Sequence, residues 1–138
     1  MLFQVPKLSD WVAERQGFHY LRELWDRWAA PGWAVPDAHW AEVQATMERS
    51  WPAPLRHYRA MGFGGPEAPI PVPTRYLIGA EDGCVEPAAA AGQERYFSGG
   101  FDSRVVPGVG HFLHLERPDV VEPLVLDWLA GPPPPGDA

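Results

Sequence analysis

The sequence predicts an α/β fold in which several helices precede a β-α-β-α unit with parallel strands. Two features of the 138 residues lead to this expectation. Apolar side chains recur at helical spacing up to about residue 61, and short runs of β-type composition follow at 74–78 and 103–106. Each run is followed by a segment of helical character, an order typical of parallel strands whose faces are covered by the intervening helices.

The N-terminal part is expected to form three helices. Residues 8–30 carry apolar side chains at spacings of three and four, so they predict an amphipathic helix, broken near Gly17. A second helix is expected at Asp37, which follows a proline and has a side chain typical of an N-cap. A third, short helix is predicted from Pro54 to Met61, because proline is tolerated in a first helical turn.

The second part is expected to alternate strands and helices. The strand at 74–78 is followed by an alanine-rich segment at 87–97, which we predict to be a helix. After the strand at 103–106, Pro118 is expected to open a final amphipathic helix. Pro123 lies beyond the first turn of that helix, so we expect it to kink or delay the helix.

The chain is therefore expected to have four parts. They are a helical region at 1–61, a connector rich in Gly and Pro at 62–73, the β-α-β-α part at 74–130 and a disordered proline-rich tail at 131–138. Two strands alone do not make a stable parallel sheet, so we expect that part of a domain is missing. An exposed edge of so small a sheet is also expected to promote self-association.

The composition excludes several classes of partner. Hydrophobic residues make up 46% of the chain, enough for a core, and the formal net charge is −7. Nucleic acids and anionic membranes repel such a surface, so neither is an expected partner. Cys84 is the single cysteine, which leaves no internal disulfide. The start of the chain lacks the features of a signal peptide and no stretch resembles a membrane span, so we expect a cytoplasmic location.

The first functional candidate is Asp82, in a loop directly after the first predicted strand. Functional groups of parallel α/β sheets lie just past the C-terminal ends of strands, and an Asp there can orient a histidine. Asp82 precedes Gly83, however, and an Asp-Gly pair is also a common turn former. On these residues alone, both interpretations stay open.

The second candidate is His111, which follows the glycines at 108 and 110 directly after the next strand. Glycines there allow a sharp turn that presents the imidazole at the edge of the sheet. A lone histidine is often structural. An Asp past one strand and a His past the next parallel strand nevertheless end at the same sheet edge, so we expect Asp82 and His111 to lie side by side.

Two other kinds of site are not expected. The cluster of His111, His114 and Glu116 fits no common zinc pattern, so we predict no metal site. The glycines at 62–65 are not preceded by a strand and are followed by Pro66, so they do not form a dinucleotide loop, and no cofactor is expected. Glu81 and Glu116 are expected to be supporting or capping groups rather than catalysts.

Two motifs in the second part resemble the closing segment of the α/β-hydrolase fold. Residues 76–82, Tyr-Leu-Ile-Gly-Ala-Glu-Asp, resemble the strand and loop that carry the acid of the catalytic triad. Residues 106–118, from Val-Pro-Gly-Val-Gly-His to Glu-Arg-Pro, resemble the stretch that carries the triad histidine and opens the last helix. The resemblance implies that Asp82 is the acid and His111 the base, in the chain order that this family uses.

The helical region resembles the cap of the epoxide-hydrolase and haloalkane-dehalogenase branch of that family. Phe3-Gln4-Val5-Pro6 is similar to the opening of such a cap, and His57-Tyr58-Arg59 is similar to the segment with a ring-opening tyrosine. The resemblance implies that Tyr58 polarises an epoxide oxygen, although it could equally be an ordinary residue of an amphipathic helix. The tryptophan-rich cap favours a small hydrophobic substrate.

The family pattern is incomplete, because the sequence contains no nucleophile elbow of the G-x-S-x-G type or its Asp equivalent. The loop that would form the oxyanion hole is missing as well. We therefore expect an epoxide-hydrolase-like hydrolase, present as a fragment that lacks its nucleophile and is inactive alone. A haloalkane dehalogenase, a serine esterase, or a catalytically silent fragment or subunit that needs another chain are the alternatives.

Overall fold

A computed structural model of the chain describes residue 5, residues 7–60 and residues 68–131. The chain forms two compact units, Met1–Asp26 with Ala34–Gly64 and Arg27–Trp33 with Gly65–Ala138. The short segment 27–33 therefore belongs to the second unit, although the residues on both sides of it belong to the first. None of the helices in the described ranges combines the length and the apolar character needed to cross a membrane.

Three helices follow one another along the first part of the chain: α1 (Leu8–Trp28), α2 (Asp37–Ser50) and α3 (Ala53–Ala60). The predicted break near Gly17 is confirmed, because the backbone leaves the helical region from Arg15 to Phe18 and Gly17 has φ +64°. The predicted N-cap was wrong by one position. Asp37 is the first residue of α2, and the cap position belongs to Pro36. The predicted end of the third helix, Met61, lies outside the described residues.

Aromatic contacts and an ion pair between α1 and α3 help to hold the first unit together. Phe18 is buried and meets the ring of Trp51 edge-on, with ring centroids 5.1 Å apart. Trp25 packs edge-on against Trp40 at 5.9 Å, and such pairs add about 1 kcal/mol to the free energy gained by burial. Arg59 of α3 forms an ion pair with the carboxylate of an aspartate in the first turn of α1, Asp10.

The second unit contains the two predicted strands, β1 (Thr74–Gly79) and β2 (Phe101–Val106). They pair in parallel with Thr74 opposite Phe101 and Gly79 opposite Val106, so the expected α/β class with parallel strands is confirmed. In the described part of the chain these two strands make up the whole sheet. Self-association through its edges remains a prediction.

The connection between the strands differs from the prediction. In place of one alanine-rich helix there are two short 3₁₀ turns, Pro87–Ala90 and Gln93–Tyr96. Gly92 lies between them with φ +76°, a left-handed conformation that ends helical structure, and Ala91 before it is extended. The alanine content gave the residues a helical propensity that this local backbone geometry overrides.

The last two helices of the described residues are the single turn α4 (Leu113–Glu116) and the longer α5 (Pro118–Leu129). The expectation that Pro123 delays the last helix was wrong, because α5 begins at Pro118 and continues through Pro123. A proline at that position cannot bond to the carbonyl of Asp119, four residues earlier. Both residues are exposed, so water can bond to that carbonyl.

A buried arginine fastens α5 to the sheet. The side chain of Arg75 on β1 is only 4% exposed, and its Nε donates to Oδ2 of Asp102 on β2 at 2.6 Å. The same guanidinium donates to the carbonyl of Leu124 at 3.0 Å and lies 4.6 Å from the ring centroid of Trp128. Because a buried charge is stable only when it is paired, this set of contacts fixes the position of α5 on one face of the sheet.

Candidate active site

The acid loop (residues 80–86) follows β1 and folds around the carboxylate of Asp82. Oδ1 of Asp82 accepts hydrogen bonds from the backbone N–H of Cys84 at 2.7 Å and of Val85 at 2.9 Å. An Asp that bonds to amides two and three residues later is a turn former, so that interpretation of the Asp-Gly pair describes the local geometry correctly. The turn also holds the carboxylate in one orientation.

The histidine loop (residues 107–112) connects β2 to α4 and brings His111 to that carboxylate. Nδ1 of His111 lies 2.9 Å from Oδ2 and 3.1 Å from Oδ1 of Asp82. An ionised carboxylate can only accept, so Nδ1 carries the proton and Nε2 is left with a lone pair. The Asp82 side chain is 4% exposed whereas that of His111 is 32% exposed. The acid is therefore shielded from water while the imidazole remains accessible, an arrangement suited to a base that acts on water.

The electrostatics of the acid loop favour an ionised Asp82. Burial raises the pKa of this carboxyl, but the amide of Val85, the imidazole of His111 and the amide of Cys84 lower it more, so that the net pKa lies below the ordinary 3.8. Burial and the negative charge of Asp82 both raise the pKa of the Tyr76 hydroxyl and of the Cys84 thiol. Asp82 is thus charged at neutral pH and able to stabilise a protonated His111.

The segment 27–33 joins the two loops, a role that sequence reasoning missed. The carbonyl oxygen of Trp28 accepts the backbone N–H of Gly83 at 3.2 Å and that of His111 at 2.9 Å. The indole of Trp28 also meets the imidazole of His111 edge-on, with centroids 5.4 Å apart. Trp28 thus contacts both loops within one unit. The sequence shows it only as one of several tryptophans at helical spacing, which carries no signal of this contact.

Glycines allow the backbones around the site to approach one another closely. A Cβ on Gly110 would lie 2.2 Å from the nitrogen of Ala30, and one on Gly83 would lie 2.1 Å from the oxygen of Arg27. Real side chains do not tolerate such distances, so glycine is required for packing at these positions. Gly108 has φ +70° with open space around it, and it is this glycine that provides the expected turn before His111.

Tyr58, the third predicted site residue, lies on α3 in the first unit. Its residue is 39% exposed, and its ring meets that of His57 edge-on at 5.8 Å. Asp82 and His111 lie in the second unit, and the structure brings these two together. The role of Tyr58 at an epoxide oxygen therefore stays a prediction.

Among the described residues, no three His, Cys, Asp or Glu side chains are placed to share a metal ion.

A cavity of about 250 Å³ lies in the second unit, on the face of the sheet that the 3₁₀ turns approach. Its walls are largely apolar and consist of Thr74, Tyr76, Val85, Ala89, Gln93, Phe97 and Phe101. Neither Asp82 nor His111 lines it, although Val85 belongs to the acid loop. The cavity is therefore separate from the pair of Asp82 and His111.

Comparison with known proteins finds a family whose model matches this chain. The family model described as the alpha/beta hydrolase family matches residues 3–124, which is most of the chain. Epoxide hydrolase 3 of Xenopus tropicalis is 32% identical over 78 residues, a match that covers 55% of this chain and 21% of that protein. The matched part thus spans about a fifth of the length of this curated relative.

Proposed function

The chain belongs to the alpha/beta hydrolase family, and from that premise we propose that it supplies the acid and the base of a hydrolytic site, Asp82 and His111. The observation that carries the proposal is the bond from Nδ1 of His111 to a buried carboxylate, on an imidazole whose side chain is one-third exposed and whose Nε2 keeps its lone pair. This is the arrangement in which an imidazole takes a proton from a nucleophile or from water.

The proposed reaction is the hydrolysis of an epoxide through an ester intermediate. A nucleophilic carboxylate attacks one epoxide carbon and the C–O bond of the ring breaks, while the hydroxyl of Tyr58 donates a proton to the departing oxygen. Nε2 of His111 then removes a proton from water, and the hydroxide attacks the ester carbonyl carbon. Asp82 stabilises the imidazolium that forms. The acyl C–O bond of the ester then breaks, the departing alkoxide takes the proton of the carboxylic acid that is released, and the imidazolium proton returns through water to the phenolate of Tyr58. The products are a diol and the regenerated carboxylate, with His111 and Tyr58 back in their starting forms.

Two facts favour an epoxide over other substrates of the family. One is the similarity to a protein named epoxide hydrolase 3. The other is the segment His57-Tyr58-Arg59 on α3, which resembles the segment of that branch with a ring-opening tyrosine. Because a neutral epoxide needs an acid at its oxygen, the presence of this hydroxyl fits an epoxide better than an ester.

The nucleophile is not among these 138 residues, since no glycine-flanked elbow occurs in the sequence. We propose that a segment or a chain outside them supplies it, and that the 138-residue chain has no turnover by itself. Asp at that elbow would make the protein an epoxide hydrolase or a haloalkane dehalogenase, and Ser would make it an esterase.

The test starts from the DNA on the 5′ side of the Met1 codon, translated in all three frames. The protein is then expressed with and without any strand-elbow-helix segment found there, and assayed with an aryl epoxide, a haloalkane and a p-nitrophenyl ester. His111→Gln removes the proposed base, and His114→Gln, at an exposed residue of α4, is the matched control.

We expect an elbow with Asp and epoxide turnover only in the longer protein. His111→Gln should lower kcat by at least about a thousandfold, with His114→Gln near the unsubstituted rate. Turnover of the ester alone, with Ser at the elbow, would replace the epoxide assignment by an esterase. If no frame encodes an elbow and no second chain confers activity, the catalytic proposal is wrong.

A further inference from the structure

Glu116 has a buried carboxylate that the proposed chemistry does not use. It ends the single turn α4, directly after the histidine loop, and the residue is only 8% exposed. A buried carboxylate is costly unless hydrogen bonds replace the water that it loses. The partners of Glu116 therefore indicate what its burial achieves.

Three backbone amides donate to this carboxylate. Oε2 accepts the N–H of Gly110 at 2.7 Å and that of Ala30 at 3.1 Å, and Oε1 accepts the N–H of Phe112 at 3.0 Å. Three donors can be satisfied together only by a group with acceptors on both atoms, so the site suits an ionised carboxylate. An amide side chain would turn its NH₂ toward at least one of these N–H groups.

Two of the three donors stand immediately before and after His111. The amide of His111 itself donates to the carbonyl of Trp28 at 2.9 Å. Three consecutive amides, at 110, 111 and 112, are thus each held by a partner outside the loop, two of them by the side chain of Glu116 and one by the carbonyl of Trp28. Because the peptide groups on both sides of the histidine are fixed, the direction in which its side chain leaves the backbone is fixed as well.

The third donor connects Glu116 to the segment that also binds the acid loop. Ala30, whose N–H donates to Glu116, lies two residues after Trp28, whose carbonyl accepts the amide of Gly83 beside Asp82. Glu116 therefore fixes the histidine loop to the same short segment that fixes the acid loop.

We propose that Glu116 is a positioning residue for His111, which sets the imidazole against Asp82 by holding the amides of Gly110, Phe112 and Ala30. It touches neither substrate nor reacting atoms in this role. The inference rests on the proposed function for the use of His111 as a base, but its test needs no turnover.

The test follows the Nδ1 proton of His111 by NMR in the chain labelled with ¹⁵N-histidine. A proton held between Nδ1 and a carboxylate resonates at low field and exchanges slowly with water, and His111→Gln identifies the signal by removing it. The variants are Glu116→Gln, Glu116→Ala and the control Glu122→Gln, which makes the same chemical change at an exposed position of α5. Urea unfolding verifies that each variant is folded under the conditions of the spectrum.

We expect proton exchange to be about tenfold faster in Glu116→Ala, because loss of hydrogen bonds to a charged acceptor loosens both sides of the histidine. In Glu116→Gln, which keeps one acceptor oxygen, the exchange rate should lie between those of Glu116→Ala and the unsubstituted chain. In Glu122→Gln it should equal that of the unsubstituted chain. A purely structural role would lower the urea midpoint of the Glu116 variants without changing the exchange rate in the folded state.

The possible failures are distinguishable. A low-field signal with the same exchange rate in the unsubstituted chain and in folded Glu116→Ala would overturn the positioning role and leave the proposed function intact. If Glu116→Ala does not fold, the same equality between the unsubstituted chain and the isosteric Glu116→Gln overturns it. A signal absent from the unsubstituted chain would overturn both proposals, because the bond to Asp82 would then not exist.

Discussion

The acid loop and the histidine loop hold their functional side chains in different ways. Asp82 is held by its own loop, since its carboxylate accepts the amides of Cys84 and Val85, two and three residues further on. The loop of His111 is held from outside, by the carbonyl of Trp28 and the carboxylate of Glu116. The first arrangement is local, whereas the second depends in part on Trp28, which is distant in the sequence.

This difference indicates where the site is robust. A local turn forms from its own residues, so the acid loop should tolerate substitutions elsewhere in the chain. A loop whose amides bond to remote groups keeps its geometry only while those groups stay in place. The histidine loop should therefore be the more easily disrupted of the two.

The largest effect is expected where the histidine loop meets the segment 27–33. In Gly110→Ala the new Cβ would lie 2.2 Å from the backbone nitrogen of Ala30, so one of the two chains must move. We expect a loss of about 3 kcal/mol in the free energy of unfolding, measured by urea titration of tryptophan fluorescence.

Gly108→Ala is the control for that substitution. It lies in the same loop with no atom within 4 Å of the new Cβ, but with φ +70°. Only backbone strain remains at that position, and a loss of about 1 kcal/mol is expected. Equal losses in the two variants would show that close packing against Ala30 does not hold the loop.

The next largest effect distinguishes the hydrogen bonds that Asp82 accepts from amides of its own loop from its bond to His111. Asp82→Ala removes the acceptor of two amides together with the bond to His111, and should lower the free energy of unfolding by about 2 kcal/mol. Asp82→Asn keeps Oδ1 for the amides and replaces only the charge-assisted bond to the imidazole by a weaker neutral one, so about half that loss is expected. The same urea titration measures both. If Asn is as damaging as Ala, the turn does not hold the carboxylate as described.

The positions of Asp82 and His111 could be predicted from the sequence, but the remote contacts that hold the histidine loop could not. The Asp-Gly pair after a predicted strand indicated both the turn and the position of Asp82, because its hydrogen bonds are local. The place of His111 beside it followed from the parallel order of the two strands and from the family motif. The contacts of Trp28 could not be foreseen, since helical periodicity does not reveal which remote backbone a residue meets. The 3₁₀ turns were missed because alanine content outweighed the left-handed Gly92 in the prediction.

A smaller effect is expected from pH. The pKa of Asp82 lies below its ordinary 3.8, so its ionised form stabilises the folded chain above that value, and this contribution disappears as the pH falls through the lower, folded-state pKa. The difference in free energy of unfolding between the unsubstituted chain and Asp82→Asn should shrink as the pH falls below about 5. Urea titrations at a series of pH values measure it. A difference that grows on acidification would mean that folding raises the pKa of Asp82 instead of lowering it.

The smallest effect concerns Cys84, which reports the charge of Asp82 within the acid loop. Burial and the neighbouring carboxylate raise the pKa of its thiol, and only the thiolate reacts with iodoacetamide. Alkylation near pH 8 should therefore be about twofold faster in Asp82→Asn than in the unsubstituted chain. An unchanged rate would mean that no charge on Asp82 acts on the thiol.

The central claim is that this chain forms the hydrogen-bonded pair of Asp82 and His111. The most direct measurement is the tautomer of neutral His111, read from the ¹⁵N shifts of its ring. We expect the proton on Nδ1 in the unsubstituted chain, and on Nε2 in Asp82→Asn, where the NH₂ group of the asparagine faces Nδ1. The same tautomer in both chains would show that Asp82 does not orient His111, and the acid and base assignments would fail together.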